Sequence, residues 1–238
     1  MATRGPLFAP ADMRFFGQVS AAVTHDVKNV LAVIQENAGL LEDLCGMAER
    51  GRPLDVPRLK RIARELQQQV GRGDRIITSM NRFAHSVDED PKAVEVSGLL
   101  EMMAVLSRRF LAAKGLRLTT VPPAPAASVD APPFGLIRLL WFCLEHTAAL
   151  GAPGKTLELA FEVSGAGPAF HIRGFAPPAN GLSALLSTES ARALCATLGA
   201  TLASRPEAGE LVIRLSPPCV GGTGPAPLTQ PRPTGEER

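Results

Sequence analysis

The sequence predicts an α+β protein in which an antiparallel helical hairpin precedes an α/β sandwich with helices over a mixed sheet. Two observations lead to this fold class. Up to about residue 90, apolar residues recur at steps of three and four, which is the period of amphipathic helices. After that point, short apolar runs bounded by glycine alternate with helical patterns, which is typical of a mixed α and β fold.

The hairpin is predicted from two helices within residues 10–90. The first covers residues 11–49 without a proline, and a break at residues 51–55 leaves Asp55 to cap a second helix whose first turn tolerates Pro57. The apolar stripe of the first helix is Phe16, Val19, Val23, Val27, Val30, Ile34, Ala38 and Leu41. That of the second is Leu59, Ile62, Leu66, Val70, Ile77, Met80 and Val87.

One hairpin cannot bury two long apolar stripes by itself. We therefore expect two copies of the chain to pair into a dimeric four-helix bundle, that is, a homodimer. Residues 1–9 carry no comparable pattern and are expected to be a flexible N-terminus.

The second predicted domain covers residues 91–216. Ser97 is its first candidate helix cap, and the run at 121–128 is predicted as a loop. The predicted helices are 97–114, 134–150 and 187–198, and the predicted strands are 116–121, 156–163, 169–173, 201–204 and 210–215. Residues 217–238 are rich in Pro, Gly and Thr and are expected to be a disordered tail.

Composition excludes several classes of function. The formal net charge is only +2 and no basic stripe is interleaved with aromatic residues, so we expect no nucleic-acid partner. No apolar run reaches the ~20 residues of a membrane span, so we expect a cytoplasmic protein with no membrane contact. The cysteines form no Cys-x-x-Cys pair and are interpreted as reduced core thiols rather than metal ligands; they are Cys45, Cys143, Cys195 and Cys219.

The candidate catalytic residues lie on the first helix. At 100° per residue, His25 falls roughly 180° from Phe16, on the side opposite the apolar stripe. Asn29 lies one turn later on nearly the same face, and Asp26 and Lys28 flank it. The sequence thus predicts an imidazole, a carboxylate, an ammonium and an amide together on the solvent side.

Such a group has two interpretations. An ordinary solvated helix face carries similar residues. The alternative is phosphoryl chemistry, in which the neutral imidazole of His25 is the nucleophile and Asp26 holds its tautomer and accepts its proton. Lys28 would attract a phosphoryl oxygen, and Asn29 would orient a water or the acceptor.

The stretch FFGQVSAAVTHDVKNVLAVIQENAGLLEDL resembles the phosphoacceptor helix of dimeric histidine kinases of two-component signalling. His25, Asp26, Lys28 and Asn29 match its motif, whereas Val30 stands where the family often has proline. The resemblance extends through the second helix and, more weakly, into the second domain, so that it covers residues 10–216. It implies that the second domain is a sandwich of the GHKL-ATPase type.

The resemblance also implies that the nucleotide site is degenerate. His146 and Phe142 stand where the family has magnesium-binding asparagines, and Mg²⁺ prefers oxygen ligands. The strand ending at Arg173 is followed by glycine, phenylalanine, alanine and two prolines instead of the aspartate that reads adenine. The lid at 179–190 lacks paired glycines. We therefore expect no ATP, metal or other cofactor.

Other apparent motifs carry no site. ALGAPGKT at 149–156 lacks the first glycine of a phosphate-binding loop and links a helix to a strand, the reverse of the required order. His85 and His171 have no partner at metal or triad spacing, and they are interpreted as a surface and a strand histidine.

The resemblance implies a phosphorelay histidine phosphotransferase that moves a phosphoryl group between a receiver-domain aspartate and His25 without ATP. A response-regulator phosphatase using Asp26 and Asn29, a divergent kinase, and a non-catalytic scaffold stay open as alternatives. The second helix favours an acidic receiver as partner, because it carries Arg58, Arg61, Arg64, Arg72 and Arg75. The response regulator itself, the direction of transfer and the input signal are open.

Overall fold

The structure is a computed structural model that describes residues 10–152, 154–164, 167–175 and 187–216. The α+β class predicted from the sequence is confirmed. The predicted N-terminal segment 1–9, the tail 217–238 and residues 179–186 of the lid lie outside the described residues.

Two long helices form the predicted hairpin. Helix α1 is Pro10–Glu49 and helix α2 is Val56–His85. The side chain of Asp55 accepts a hydrogen bond of 3.0 Å from the backbone N–H of Arg58, so the predicted cap is confirmed. The helices approach closely at Gly73, where an added Cβ would lie 3.3 Å from Val30 Cγ1. The chain thus runs antiparallel, with Val30 level with Gly73.

The remaining elements form the sandwich. They are β1 (Lys92–Glu95), α3 (Val96–Ala113), β2 (Arg117–Val121), β3 (Ser128–Ala131), α4 (Pro133–Ala149), β4 (Thr156–Ser164), β5 (Gly167–Arg173), α5 (Glu189–Leu198), β6 (Ala200–Arg205), a 3₁₀ turn (Pro206–Ala208) and β7 (Glu210–Leu215). The main sheet has the order β2-β4-β5-β7-β6, with β2 and β4 parallel and the other pairs antiparallel. The predicted mixed sheet is confirmed.

Two short strands and one cap differ from the sequence prediction. Strands β1 and β3 pair antiparallel as a separate ribbon, and each has only four residues, too few for a visible alternation. The cap of α3 is Glu95 rather than Ser97, because the Glu95 carboxylate accepts hydrogen bonds from the backbone N–H groups of Ser97 and Gly98 at 2.8 and 2.5 Å. Helix α3 therefore begins one residue before Ser97, at Val96.

The hairpin and the sandwich share one hydrophobic cluster. Phe83 of α2 is fully buried and its ring lies 5.4 Å from Phe15 of α1 and 6.0 Å from Phe134 of α4. Asp12 at the start of α1 forms an ion pair with Arg138 of α4. Helices α3 and α4 thus cover one side of the hairpin within a single chain.

This packing rotates the buried face relative to the predicted stripe. Phe15 is buried whereas Phe16 is only half-buried, and Ile76 is buried whereas Ile77 is 50% exposed. The prediction placed Phe16 and Ile77 in the stripe, because a period alone does not say which side of the helix meets another element. Val70 of the predicted stripe is likewise 59% exposed, and Leu31, which lay outside the predicted stripe, is 57% exposed.

A charged cluster lies on the face of β5 that alternates with its core-facing residues Phe170 and Ile172. His171 Nδ1 donates to Glu210 Oε1 at 2.9 Å, and Arg173 Nε donates to the same oxygen at 2.7 Å. His171 therefore has an acidic partner. The sequence did not reveal it, because Glu210 is 39 residues away and meets it across the β5–β7 pair.

The pKa of Glu210 reflects two opposing effects. Burial of the carboxyl raises the pKa, but hydrogen bonds from Arg173, His171 and Arg205 to the charged form outweigh it and hold the pKa at about 2. A carboxyl whose pKa in the folded protein lies below its ordinary pKa stabilises the fold at any pH above that ordinary pKa. It loses this contribution as the pH falls through the folded pKa.

We predict that Glu210→Gln destabilises the protein at neutral pH, by about 1–3 kcal/mol as expected for charged hydrogen bonds. The difference from the parent should shrink as the pH falls from 4.5 towards 2, where Glu210 itself becomes protonated. Urea unfolding across this range measures it. Glu42→Gln, on the exposed side of α1, is the control and should show no such convergence. A pH-independent gap for Glu210→Gln would contradict the prediction.

Candidate functional site

His25 lies in the middle of α1 and is exposed, as predicted. Its Nδ1 atom is 3.1 Å from Asn29 Nδ2, one helical turn along, and 2.7 Å from Arg109 Nη1 of α3. A guanidinium only donates hydrogen bonds, so Nδ1 is the acceptor of this contact. The imidazole of His25 is thus held from two sides through a single ring nitrogen.

Asp26 does not lie on the solvent side, and this part of the prediction is wrong. Asp26 is 8% exposed, and its Oδ2 accepts a 2.6 Å charged hydrogen bond from Arg108 Nη2. The angular analysis placed Asp26 near the exposed face because it treated α1 as isolated. Helix α3 covers the flank on which Asp26 lies.

The other two predicted site residues are exposed. Lys28 and Asn29 follow Asp26 on the same helix, and Val30 returns to the core with 3% exposure. Of the four predicted catalytic residues, His25 and Asn29 are therefore in direct contact, Asp26 is buried beside them, and Lys28 is exposed on the same turn.

Arg108 and Arg109 were not identified from the sequence as part of the site. They are 82 and 84 residues from their partners, and only the fold brings α3 against α1. Consecutive helical residues diverge by about 100°, which explains why neighbouring arginines reach two different side chains, Asp26 and His25. The available signal was the pair of adjacent arginines in a mostly apolar helix.

An open cavity of about 460 Å³ lies beside His25, between α1, α3 and α4. Its lining includes Gln18 and His25 from α1, Arg109 from α3, and Trp141 and Glu145 from α4. The nucleophile candidate therefore faces a space that holds a donor amide, a guanidinium and a carboxylate.

The predicted partner-binding arginines divide into two groups along α2. Arg72 and Arg75 lie close to the level of Gly73, and they line a second cavity of about 630 Å³ with Arg108 and Arg117. The other three are about 10 to 15 residues nearer the hairpin loop, which is on the order of 15–25 Å along the helix axis; they are Arg58, Arg61 and Arg64.

His146 and Phe142 stand at the positions that the resemblance assigns to magnesium-binding asparagines. His146 Nδ1 lies 2.8 Å from the backbone oxygen of Phe142, and the two rings are 4.3 Å apart. Over the described ranges, no group of three or more His, Cys, Asp or Glu residues is placed to hold a metal ion.

The cysteines within the described residues are free. Burial raises the pKa of the Cys143 thiol, as expected of a core thiol. The expectation of a core position is wrong for Cys45, which is exposed, and Cys219 lies outside the described residues. In the part of the chain that the structure describes, no helix combines the length and apolarity that crossing a bilayer requires.

No protein-family model and no curated protein matches the chain. Among solved structures, it is similar to Acinetobacter baumannii histidine kinase AdeS, with 12% identity, a TM-score of 0.43, and coverage of 81% of this chain and 97% of that one. A bacterial phosphotransferase matches with 15% identity, a TM-score of 0.43, and coverage of 87% and 96%. Histidine kinase ThkA in complex with response regulator TrrA matches with 14% identity, a TM-score of 0.44, and coverage of 84% and 61%.

These TM-scores are below 0.5 and the identities are below 25%, so the likenesses assign no activity, partner or substrate to the chain. The solved structures to which the chain is similar are described as two histidine kinases and a bacterial phosphotransferase.

Proposed function

We propose that this protein is a phosphorelay histidine phosphotransferase in which His25 accepts a phosphoryl group from a receiver-domain aspartate and passes it on. The observation that carries the proposal is the exposed imidazole of His25, contacted by Asn29 and Arg109 and open to a cavity. A neutral imidazole nitrogen can act as the nucleophile toward phosphorus, and the exposure of His25 gives a receiver access to it.

The chemistry needs no nucleotide. An imidazole nitrogen forms the bond to phosphorus while the phosphorus–oxygen bond to the aspartyl carboxylate breaks, and the carboxylate leaves with the electron pair. Charge on the transferring group is spread over its three equatorial oxygens. Lys28 and the arginines of α2 supply positive charge for those oxygens and for the acidic site of a receiver.

A response-regulator phosphatase is the second candidate. The exposed amide of Asn29 favours it, because such an amide can orient a hydrolytic water. The position of Asp26 weighs against it, because that carboxylate is buried and already accepts a hydrogen bond from Arg108. A water-positioning role for Asp26 would first require α3 to release it.

The direct test offers the protein two phosphoryl donors in separate tubes. One contains a radiolabelled phosphorylated receiver, and the other contains radiolabelled ATP with Mg²⁺. We expect acid-labile label on this chain from the receiver alone. Label from ATP would support the divergent kinase, and free phosphate from the receiver without labelled intermediate would support the phosphatase. A phosphorylated receiver that the protein does not change would support the non-catalytic scaffold.

We further propose a homodimer through the hairpin, residues 10–90. Among the large apolar side chains that the hairpin exposes in one chain are Leu31, Val70 and Ile77. Val70 and Ile77 are seven residues apart and share a face of α2, which is the spacing of a helix–helix seam. Leu31 follows Val30 on α1, and Val30 lies level with Gly73 of α2. Along the hairpin axis, Leu31 is therefore between Val70 and Ile77.

We predict that Ile77→Asp dissociates the dimer, because burying an unpaired carboxylate in such a seam costs several kcal/mol. Light scattering at micromolar concentration measures the mass. Ile77 is a sharper probe than Ile34 or Leu66, which are already half-buried within one chain. Val163→Asp, at a residue 68% exposed on β4, is the control and should leave the dimer intact. A monomeric parent protein would contradict the proposal.

A further inference from the structure

The contact between Arg109 and His25 carries an inference beyond the nucleophile itself. We propose that Arg109 is a positioning residue that keeps protons off Nδ1 of His25, and so slows phosphoryl transfer onto and off Nε2 while α3 is docked. This deepens the proposed function, since it concerns the same imidazole.

Two hydrogen-bond donors occupy the lone pair of Nδ1. Arg109 Nη1 approaches it at 2.7 Å and Asn29 Nδ2 at 3.1 Å, and a guanidinium does not give up its charge in proteins. In a neutral imidazole, one nitrogen carries the proton and the other is the acceptor. With Nδ1 as acceptor, the proton lies on Nε2, and that nitrogen has no in-plane lone pair for attack.

Transfer through Nε2 needs the opposite tautomer. With the proton on Nδ1, the Nε2 lone pair forms the bond to phosphorus, and the phosphorus–oxygen bond to the receiver carboxylate breaks with its electron pair leaving on oxygen. The resulting phosphoimidazolium then loses its Nδ1 proton to water. The reverse step must return that proton to Nδ1, so that the imidazole leaves as a neutral group. A donor fixed on Nδ1 therefore opposes both directions.

Among the described residues, the contacts of Nδ1 are with Asn29 and Arg109, so no carboxylate accepts a proton there. Asp26, the carboxylate next to His25 in sequence, is held by Arg108 at 2.6 Å. Lys28 is exposed and cationic, and Glu145 of α4 lines the cavity that His25 also lines. Arg108 and Arg109 are adjacent on α3. Movement of that helix away from α1 would free the Asp26 carboxylate and the Nδ1 lone pair together.

Phosphoramidate is a small chemical donor that phosphorylates histidine without any receiver, so it separates this inference from the proposed function. The full-length parent, Arg109→Gln, Arg109→Lys and a control, Arg192→Gln on the exposed face of α5, are treated alike. Signal from the other histidines is subtracted with His25→Ala. We measure the rate of phosphorylation, the rate of hydrolysis at about pH 6, where imidazole titrates, and the tautomer of His25 by ¹H–¹⁵N NMR.

We expect Arg109→Gln to raise both rates by about tenfold, the usual size of the loss of one charged hydrogen bond. Arg109→Lys should give rates between those of the parent and of Arg109→Gln, because it keeps a cationic donor. Arg192→Gln should match the parent. NMR of the parent should show the proton on Nε2. If Arg109 had only a structural role, the tautomer of His25 would not depend on it.

Unchanged rates in a folded Arg109→Gln, or a parent with its proton on Nδ1, would overturn the inference. If the glutamine variant fails to fold, the NMR tautomer of the parent still decides. If the phosphoramidate rates respond as expected but no receiver transfers label to His25, the inference stands and the proposed function fails.

Discussion

His25→Ala is expected to abolish acid-labile phosphorylation of this protein by a phosphorylated receiver, because the variant has no imidazole to form the bond to phosphorus. Asn29→Ala should still become phosphorylated, since its amide contacts Nδ1 and forms no bond to the phosphoryl group. Gel-based detection of label after neutral and acid washes measures both. His85→Ala, exposed at the end of α2, is the matched control and should behave as the parent does.

The opposite pattern would identify a phosphatase. In that case, His25→Ala retains receiver dephosphorylation and Asn29→Ala loses it by a factor of roughly 10² or more, as expected when a group that orients the reacting atoms is removed. Asp26→Asn should slow either route, since each uses the Asp26 carboxylate, once Arg108 releases it, to tune the imidazole or the water. If all three variants turn over a phosphorylated receiver like the parent, only a scaffold is left.

The parts of the fold that the sequence predicted are those encoded by local signals. The cap at Asp55, the long periodic runs of α1 and α2, and the strand Glu210–Leu215 each depend on residues within one element. The ribbon of β1 and β3 was missed because its strands are short and distant from each other in the chain. The rotation of the buried face from Phe16 to Phe15 was missed because it depends on α4, which packs there only after folding.

The candidate site shows the same division. The exposure of His25 and its one-turn spacing to Asn29 follow from the helical period alone. The burial of Asp26 and the two arginine contacts depend on where α3 docks, and no spacing within α1 encodes that position. The exposure of His25, Lys28 and Asn29 was therefore predictable, whereas the burial of Asp26 and the arginine contacts were not.

The docking of hairpin on sandwich, on which those contacts depend, centres on a few aromatic rings. Phe83 is fully buried, and its ring stacks on Phe16 at 5.2 Å and meets Phe15 edge-on at 5.4 Å. Phe15 in turn lies 5.5 Å from Trp141 of α4. This cluster joins both helices of the hairpin to the helical layer of the sandwich. Its residues in α1 lie on the N-terminal side of His25.

We predict that Phe83→Ala lowers the free energy of unfolding by about 3–5 kcal/mol, the usual cost of deleting a buried aromatic ring together with the cavity it leaves. Urea unfolding followed by circular dichroism measures the loss. Val163→Ala, at a side chain 68% exposed, should change stability by no more than about 0.5 kcal/mol and serves as the control. A loss below about 1 kcal/mol for Phe83→Ala would show that the hairpin and the sandwich are not held together by this cluster. In that event the contacts of Arg108 and Arg109 with α1 would lack the packing that holds α3 in place beside His25.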